Sequence, residues 1–99
     1  MKSIKEYVDL LDEEIEGAKD YAEKYVECKA KGNMHRANRF KEMAEDELKH
    51  STYIHEMAVQ EIQELEKVYT APVDMKNKWD EAHKEYVERV AWIKQMLTL

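Results

Sequence analysis

The chain has 99 residues, enough for one domain, and its hydrophobic content of 43% allows a core of modest size. The formal net charge of −6 argues against a nucleic-acid partner, because proteins of that class present basic surfaces. The single cysteine excludes an intramolecular disulfide and a Cys-x-x-Cys metal site. There is no apolar stretch typical of a signal peptide and no run of membrane-spanning length, so we expect a cytoplasmic protein with no membrane partner.

Charged content of 38% with only two glycines and one proline is typical of long helices. A capping-box pattern at residues 3–6 predicts the start of helix 1, and Gly32-Asn33 predicts its end, which gives about residues 4–31. Helix 2 is expected over about residues 34–69, before a break that contains the proline. Asp74 is the expected N-cap of helix 3, over about residues 75–97. The prediction for residues 1–99 is therefore one all-α domain, in which helix 3 either turns back on an antiparallel hairpin or swings out to a partner.

Spacings of three and four predict the inward face of each helix. The predicted face of helix 3 carries no charge, whereas helix 1 places Glu14 on its face and helix 2 places Glu47 and His50. The predicted faces are Ile4, Tyr7, Leu11, Glu14, Ala18, Tyr21, Tyr25 and Cys28 on helix 1; Phe40, Met43, Glu47, His50, Ile54, Met57 or Ala58, Ile62, Leu65 and Tyr69 on helix 2; and Met75, Trp79, Ala82, Tyr86, Val90, Ile93 and Leu97 on helix 3.

Glu47 and His50 lie three residues apart, so both project from one side of a helix, where a carboxylate and an imidazole can chelate one transition-metal ion. In an antiparallel hairpin centred on Gly32-Asn33, Glu14 falls within about one turn of this pair. The pair alone is weak evidence, because a shuffled chain of this composition would contain a Glu three residues before a His about half the time. The common level of the three side chains is what favours a metal site, since a lone carboxylate on an apolar face is costly.

Glu14, Ala18 and Tyr21, followed by Glu47-x-x-His50, resemble the first half of the ferritin-like superfamily, in particular rubrerythrins and the short encapsulated ferritins. The resemblance covers about residues 4–58. Because helix 3 offers no second set of these motifs, the resemblance implies that two chains meet about a two-fold axis and complete a ferritin-like four-helix bundle by dimerisation. Glu14, Glu47 and His50 of each chain would then form one site for two iron ions per dimer.

The resemblance implies oxidation of Fe(II) to Fe(III). It also implies that Glu47 bridges or chelates, that Glu14 binds terminally and that His50 ligates through one ring nitrogen. Carboxylates with one imidazole per metal favour iron, with manganese as the other choice. Tyr21 is expected either to hydrogen-bond a ligand carboxylate, to act as a redox neighbour, or only to pack in the core. A protein shell is a further partner that the encapsulated ferritins suggest, although residues 91–99 look helical rather than like the Gly-rich address peptide of shell cargo.

Other interpretations stay open at this point. The chain could be a non-catalytic structural or adaptor protein, such as a helical component of a phage or capsule particle, whose polar residues only set the register of an interface. It could also store or deliver metal without turnover. Gly17 interrupts helix 1, and it either lets a neighbour approach closely or is merely tolerated. His35 and His55 are expected to be solvated.

Overall fold

The computed structural model describes residues 4–68 and 73–99, and within these residues the chain forms three α-helices and no strand. α1 spans Ile4–Ala30, α2 spans Met34–Glu66 and α3 spans Val73–Met96. The all-helical prediction is confirmed, and the molecule is a rod with extents of 56 × 19 × 16 Å. None of the helices in the described residues combines the length and the apolar character that crossing a bilayer requires.

The connection between α1 and α2 is a tight turn of three residues. Gly32 has a φ of +77°, in the left-handed region that residues with a side chain rarely adopt. The amide of Asn33 donates a hydrogen bond to the carbonyl oxygen of Cys28 at 2.9 Å, and the Asn33 side chain accepts one from the amide of Arg36 at 3.2 Å. The same residue thus closes α1 and caps α2, which makes the two helices an antiparallel hairpin.

The other helix ends differ from the prediction by a few residues. α2 ends at Glu66, and α3 begins at Val73. Asp74 is therefore not the N-cap of α3 but lies in its first turn, where a negative charge still favours the helix dipole. Ser3 of the predicted capping box and Tyr69 of the predicted helix 2 lie outside the described residues.

Small side chains line the contact between α1 and α2. Ala18 and Ala22 of α1 and Ala37, Ala44 and Ala58 of α2 are 0% exposed. Side chains of this size let two helix backbones approach closely.

The core positions at mid-length are not the predicted ones. On α1, Ile15 is buried at 1% exposure, whereas the neighbouring Glu14 is only partly buried. At 100° per residue, the buried residues of α1 fall within an arc of about 80°, and Glu14 and Tyr21 lie about 60–80° to one side of its centre. The predicted face followed a strict 3.5-residue repeat, which drifts around a straight helix of 3.6 residues per turn.

The same shift occurs on α2. Leu48 and Ser51 occupy the core, whereas Glu47 is partly buried and His50 is exposed. The hydroxyl of Ser51 donates to the carbonyl oxygen of Leu48 at 2.7 Å, so this buried polar group is satisfied. The prediction that Glu14, Glu47 and His50 point into the core is therefore wrong: they lie along the edge of the α1–α2 contact.

α3 turns back and packs along the hairpin, parallel to α1. Its predicted inward face is correct, since Ile93 and Leu97 are buried at 1% and 5% exposure and the rest of that face is partly buried. Ile93 and Leu97 join one core cluster with Ile15 and Leu48. Near its other end, α3 packs Trp79 and Tyr86 against a second cluster; this cluster contains Tyr7, Leu11, Ile54 and Ala58.

Polar contacts also join α3 to α1. The guanidinium of Arg89 donates to the carboxylates of Asp12 and Glu16. The hydroxyl of Tyr25 donates to the backbone carbonyl oxygen of Leu99 at 2.9 Å. These contacts fix which side of α1 faces α3.

Candidate metal centre

Glu14, Glu47 and His50 come together in the structure. Each offers one ligand atom, and these atoms all lie within 4.8 Å of one another. Nδ1 of His50 lies 3.5 Å from a carboxylate oxygen of Glu14. One residue comes from α1 and two come from α2, so the register of the hairpin assembles the group.

The three side chains lie on the side of the hairpin that α3 does not cover. Asp12 and Glu16, which hold Arg89 of α3, are each two residues from Glu14, and two residues on a helix are about 200° of arc apart. On α2 the groove toward α3 is lined by the residues two positions before and after Glu47 and His50, namely Glu45, Leu48, Lys49 and Thr52. The candidate ligands therefore face away from α3.

We call this side of the hairpin the open face; it comprises Leu10, Glu14, Gly17, Tyr21, Phe40, Met43, Glu47, His50 and Met57. Met43 and Met57 are 40% and 48% exposed, on either side of the candidate ligands. The rings of Tyr21 and Phe40 stack with centroids 6.2 Å apart. The candidate ligands are thus flanked by exposed apolar side chains, a combination typical of a surface that contacts another protein.

The carboxyl group of Glu47 is perturbed by its neighbours. Its pKa is raised above the usual value, chiefly by a hydrogen bond with Glu14, which two carboxyl groups can make only by sharing a proton. Burial and the negative charge of Glu14 raise the pKa of Glu47 further, whereas the positive charge of His50 lowers it. Two carboxylates held in contact favour a cation, because a metal ion can replace the shared proton.

Tyr21 is not joined to the candidate ligands. It is partly buried and stacks on Phe40, and within the described residues its hydroxyl makes no hydrogen bond to Glu14, Glu47 or His50. This placement favours the packing role among the roles predicted for Tyr21.

Gly17 contacts the candidate site directly. A Cβ atom at this position would lie 3.2 Å from a carboxylate oxygen of Glu47, so the glycine lets Glu47 approach α1 closely. The sequence left this role undecided, and the signal was the position of Gly17 one turn after Glu14.

His55 is the clearest error of the sequence analysis outside the candidate site. It is partly buried, its ring stacks on Tyr86 with centroids 5.2 Å apart, and its Nε2 is buried without a hydrogen bond to any described residue. Burial and the charge of the nearby His83 lower the pKa of His55. The spacing of seven residues from Leu48 could have placed it on the side of α2 toward α3. His35 is exposed, as expected.

The larger grooves follow α3 and not the candidate ligands. One of about 450 Å³ is lined on α1 by Ile4, Lys5 and Val8 and on α3 by residues that include Met75 and Ala82.

Comparison with known proteins adds no assignment: no protein-family model, no curated protein and no solved structure matches this chain.

Proposed function

We propose that this protein binds Fe(II) through Glu14, Glu47 and His50 at a site shared by two copies of the chain, and oxidises it to Fe(III). The observation that carries the proposal is the approach of three ligand atoms, from two helices, to within 4.8 Å of one another. The proposal extends the resemblance to a ferritin-like half-bundle, with the second hairpin supplied by the second copy.

The donor set fits iron or manganese. Carboxylate oxygens are hard ligands and an imidazole nitrogen is a ligand of intermediate hardness, and iron and manganese accept both readily. Three protein ligands do not complete the coordination of such an ion. A second copy would raise the set to four carboxylates and two imidazoles, which suits two ions. His50 is 53% exposed at its side chain, and Glu14 is 27% exposed, so both are accessible to a second chain.

The open face also favours pairing with a second copy, because Met43 and Met57 on it are exposed in one chain. Small helical chains often complete their core by oligomerising. Four helices in two layers would bury Met43 and Met57 on both sides of the shared site.

The charge distribution favours one of the two arrangements that would bring the sites together. Residues 24–41, which form the hairpin end, carry six Lys or Arg and one acidic residue, a formal charge of +5. The remaining residues carry −11, which together gives the net −6. A two-fold axis perpendicular to the helices lays the hairpin end of one copy against the acidic end of the other, whereas a parallel axis lays the two basic ends together.

Fe(II) would be the substrate: oxidation of two Fe(II) to two Fe(III) by dioxygen would take up two protons and yield one hydrogen peroxide. Glu14 and Glu47 would favour Fe(III), because anionic oxygen ligands bind the more highly charged ion more strongly. The proton that Glu47 shares with Glu14 would leave as the metal binds. His50 would hold the ion through a neutral ring nitrogen.

The test is an anaerobic titration of the purified protein with Fe(II), with the oligomeric mass measured in parallel, followed by exposure to air. We expect two Fe(II) per dimer, consumption of oxygen and formation of Fe(III). Glu47→Ala should abolish binding without unfolding the chain. Glu45→Ala, which removes an exposed carboxylate on the side of α2 toward α3, is the matched control and should bind as the native chain does. Equal binding by both variants would refute the proposal.

A non-catalytic structural or adaptor role is the second candidate, and one observation favours it. Glu14 and His50 lie at ion-pair distance, 3.5 Å, so each can serve as the other's polar partner. In that case a chelator leaves assembly unchanged, and Glu47→Leu stabilises the protein, since it removes carboxylate repulsion from an interface. Metal storage without turnover would instead give anaerobic binding with no oxygen consumption.

A further inference from the structure

Gly17 lies in the middle of α1, where the backbone does not require a glycine. Among the described residues only Gly32 has a positive φ, so Gly17 has the ordinary right-handed helical conformation. A glycine inside a helix destabilises it relative to alanine, because the unfolded chain gains freedom. The reason for a glycine at this position must therefore be sought in its neighbours.

The neighbour of Gly17 is the carboxylate arm of Glu47. A Cβ atom at position 17 would lie 3.2 Å from Oε2, 3.5 Å from Cδ and 3.7 Å from Cγ of Glu47. The side chain of Glu47 thus lies across the surface of α1, in the gap left by the missing side chain. Glu14 is one turn away on the same side of α1, which is why the two carboxyl groups meet.

We infer that Gly17 is a positioning residue for the metal ligand Glu47: its missing side chain sets how closely the Glu47 carboxylate approaches Glu14 and His50. The metal part of this inference rests on the proposed function. The contact itself does not, since it depends only on the positions of Gly17 and Glu47.

A side chain at position 17 should disturb the candidate site more than the fold. The atoms that an alanine Cβ would meet belong to the end of a flexible side chain and not to backbone, so Glu47 can move aside while the helices keep their distance. Displacement of a ligand by a few tenths of an ångström matters to a metal, because ligand distances tolerate only about ±0.2 Å. The fold and the site should therefore respond in opposite directions.

The experiment compares native protein with Gly17→Ala. We expect the alanine to raise the thermal unfolding midpoint of metal-free protein by a few degrees. Its affinity for Mn(II), or for Fe(II) under anaerobic conditions, should fall about tenfold or more. Substitutions that disturb the orientation of metal ligands typically cause affinity losses of this size. Asp20→Ala is the matched control, because it also raises helix propensity on an exposed part of α1 and should leave metal affinity unchanged.

A second measurement needs no metal. Nuclear Overhauser contacts between the Gly17 Hα protons and the Glu47 side chain should be visible in the metal-free native protein. Their presence together with unaltered metal affinity in Gly17→Ala would overturn the positioning role. Their absence would overturn the contact itself. If the contacts are present but native protein binds no metal, the proposed function fails while the placement of Glu47 by Gly17 stands.

Discussion

The ring of His55 on α2 lies flat against the ring of Tyr86 on α3, with centroids 5.2 Å apart and 10° between the planes. His83 and Trp79 of α3 also lie against His55, at centroid distances of 5.0 and 5.5 Å. This group of rings joins α2 to the first half of α3. A titratable side chain is thus part of the packing between two helices.

The stability of the fold should therefore fall in mild acid. Burial, together with the charge of His83, lowers the pKa of His55 in the folded chain, while Glu56 on α2 raises it by a smaller amount. The folded state then favours the neutral ring. Its contribution is present above the unfolded pKa of about 6.5 and is lost as pH falls toward the lowered folded pKa. Urea unfolding followed between about pH 5 and 8 would measure this loss.

His55→Phe keeps a ring in place but removes the titration, and the variant should have a flatter dependence of unfolding free energy on pH. His35→Gln changes an exposed histidine and should leave the native dependence intact. Identical pH profiles for native protein and His55→Phe would show that His55 does not control the acid response.

Metal affinity should increase with pH. Glu47 must lose its proton before it can ligate, and its pKa is raised by the hydrogen bond with Glu14 and by burial. Affinity for Mn(II) should therefore fall as pH decreases through the raised pKa of Glu47, with release of the proton that Glu47 shares with Glu14 as the metal binds. Calorimetric titration in two buffers of different ionisation enthalpy would count the protons released. Binding without proton release across this range would contradict the shared-proton interpretation.

Adjacent substitutions on α1 should differ sharply in their effect on stability. Ile15→Ala should lower the unfolding free energy by about 2–5 kcal/mol, because the side chain is 1% exposed within the main core cluster. Glu14→Ala should change it by about 0.5 kcal/mol or less, since the residue lies at the edge of the helix contact. Equal losses of unfolding free energy in urea would contradict the finding that α1 buries Ile15 and leaves Glu14 at the edge of the helix contact.

Dimer formation should weaken as salt increases. If the basic hairpin end lies against the acidic end of the second copy, screening from about 0.1 M to 1 M salt shortens the Debye length from about 10 to 3 Å and reduces the attraction. Arg36→Glu should raise the dimer dissociation constant, and adding Glu64→Lys should lower it again. Sedimentation at several salt concentrations would measure the dimer dissociation constant of the native protein, the single variant and the double variant. An association that strengthens with salt would instead favour the parallel axis.

Several features of the fold followed from residue chemistry alone. Gly32 and Asn33 predicted the end of helix 1, because both residue types tolerate the left-handed conformation. The structure shows a positive φ at Gly32, whereas Asn33 contributes a side-chain oxygen that caps α2, which was not predicted. The face of α3 was also predicted correctly, since large apolar residues mark it. The meeting of Glu14 with Glu47 and His50 followed from counting residues on both sides of Gly32-Asn33.

The burial of Glu14, Glu47 and His50 could not be predicted in the same way. A repeat of 3.5 and one of 3.6 residues differ by less than one position over two turns, and that difference decides whether Glu14 or Ile15 is buried. The contact between α1 and α2 includes five fully buried alanines, which carry little hydrophobic signal in a sequence. His55 was misplaced because its burial depends on where α3 lies, and a sequence does not show that position.

The placement of α3 has an evolutionary and practical consequence. Arg89, Ile93 and Leu97 fasten this helix to the hairpin on the side away from the candidate ligands. Mutations in its outer surface, extensions of it, or fusion of another protein to it should therefore leave the geometry of the candidate ligands on the other side unchanged. A protein engineer could attach a tag or a second protein to α3, and natural selection could alter the outer surface of α3 and the candidate site independently.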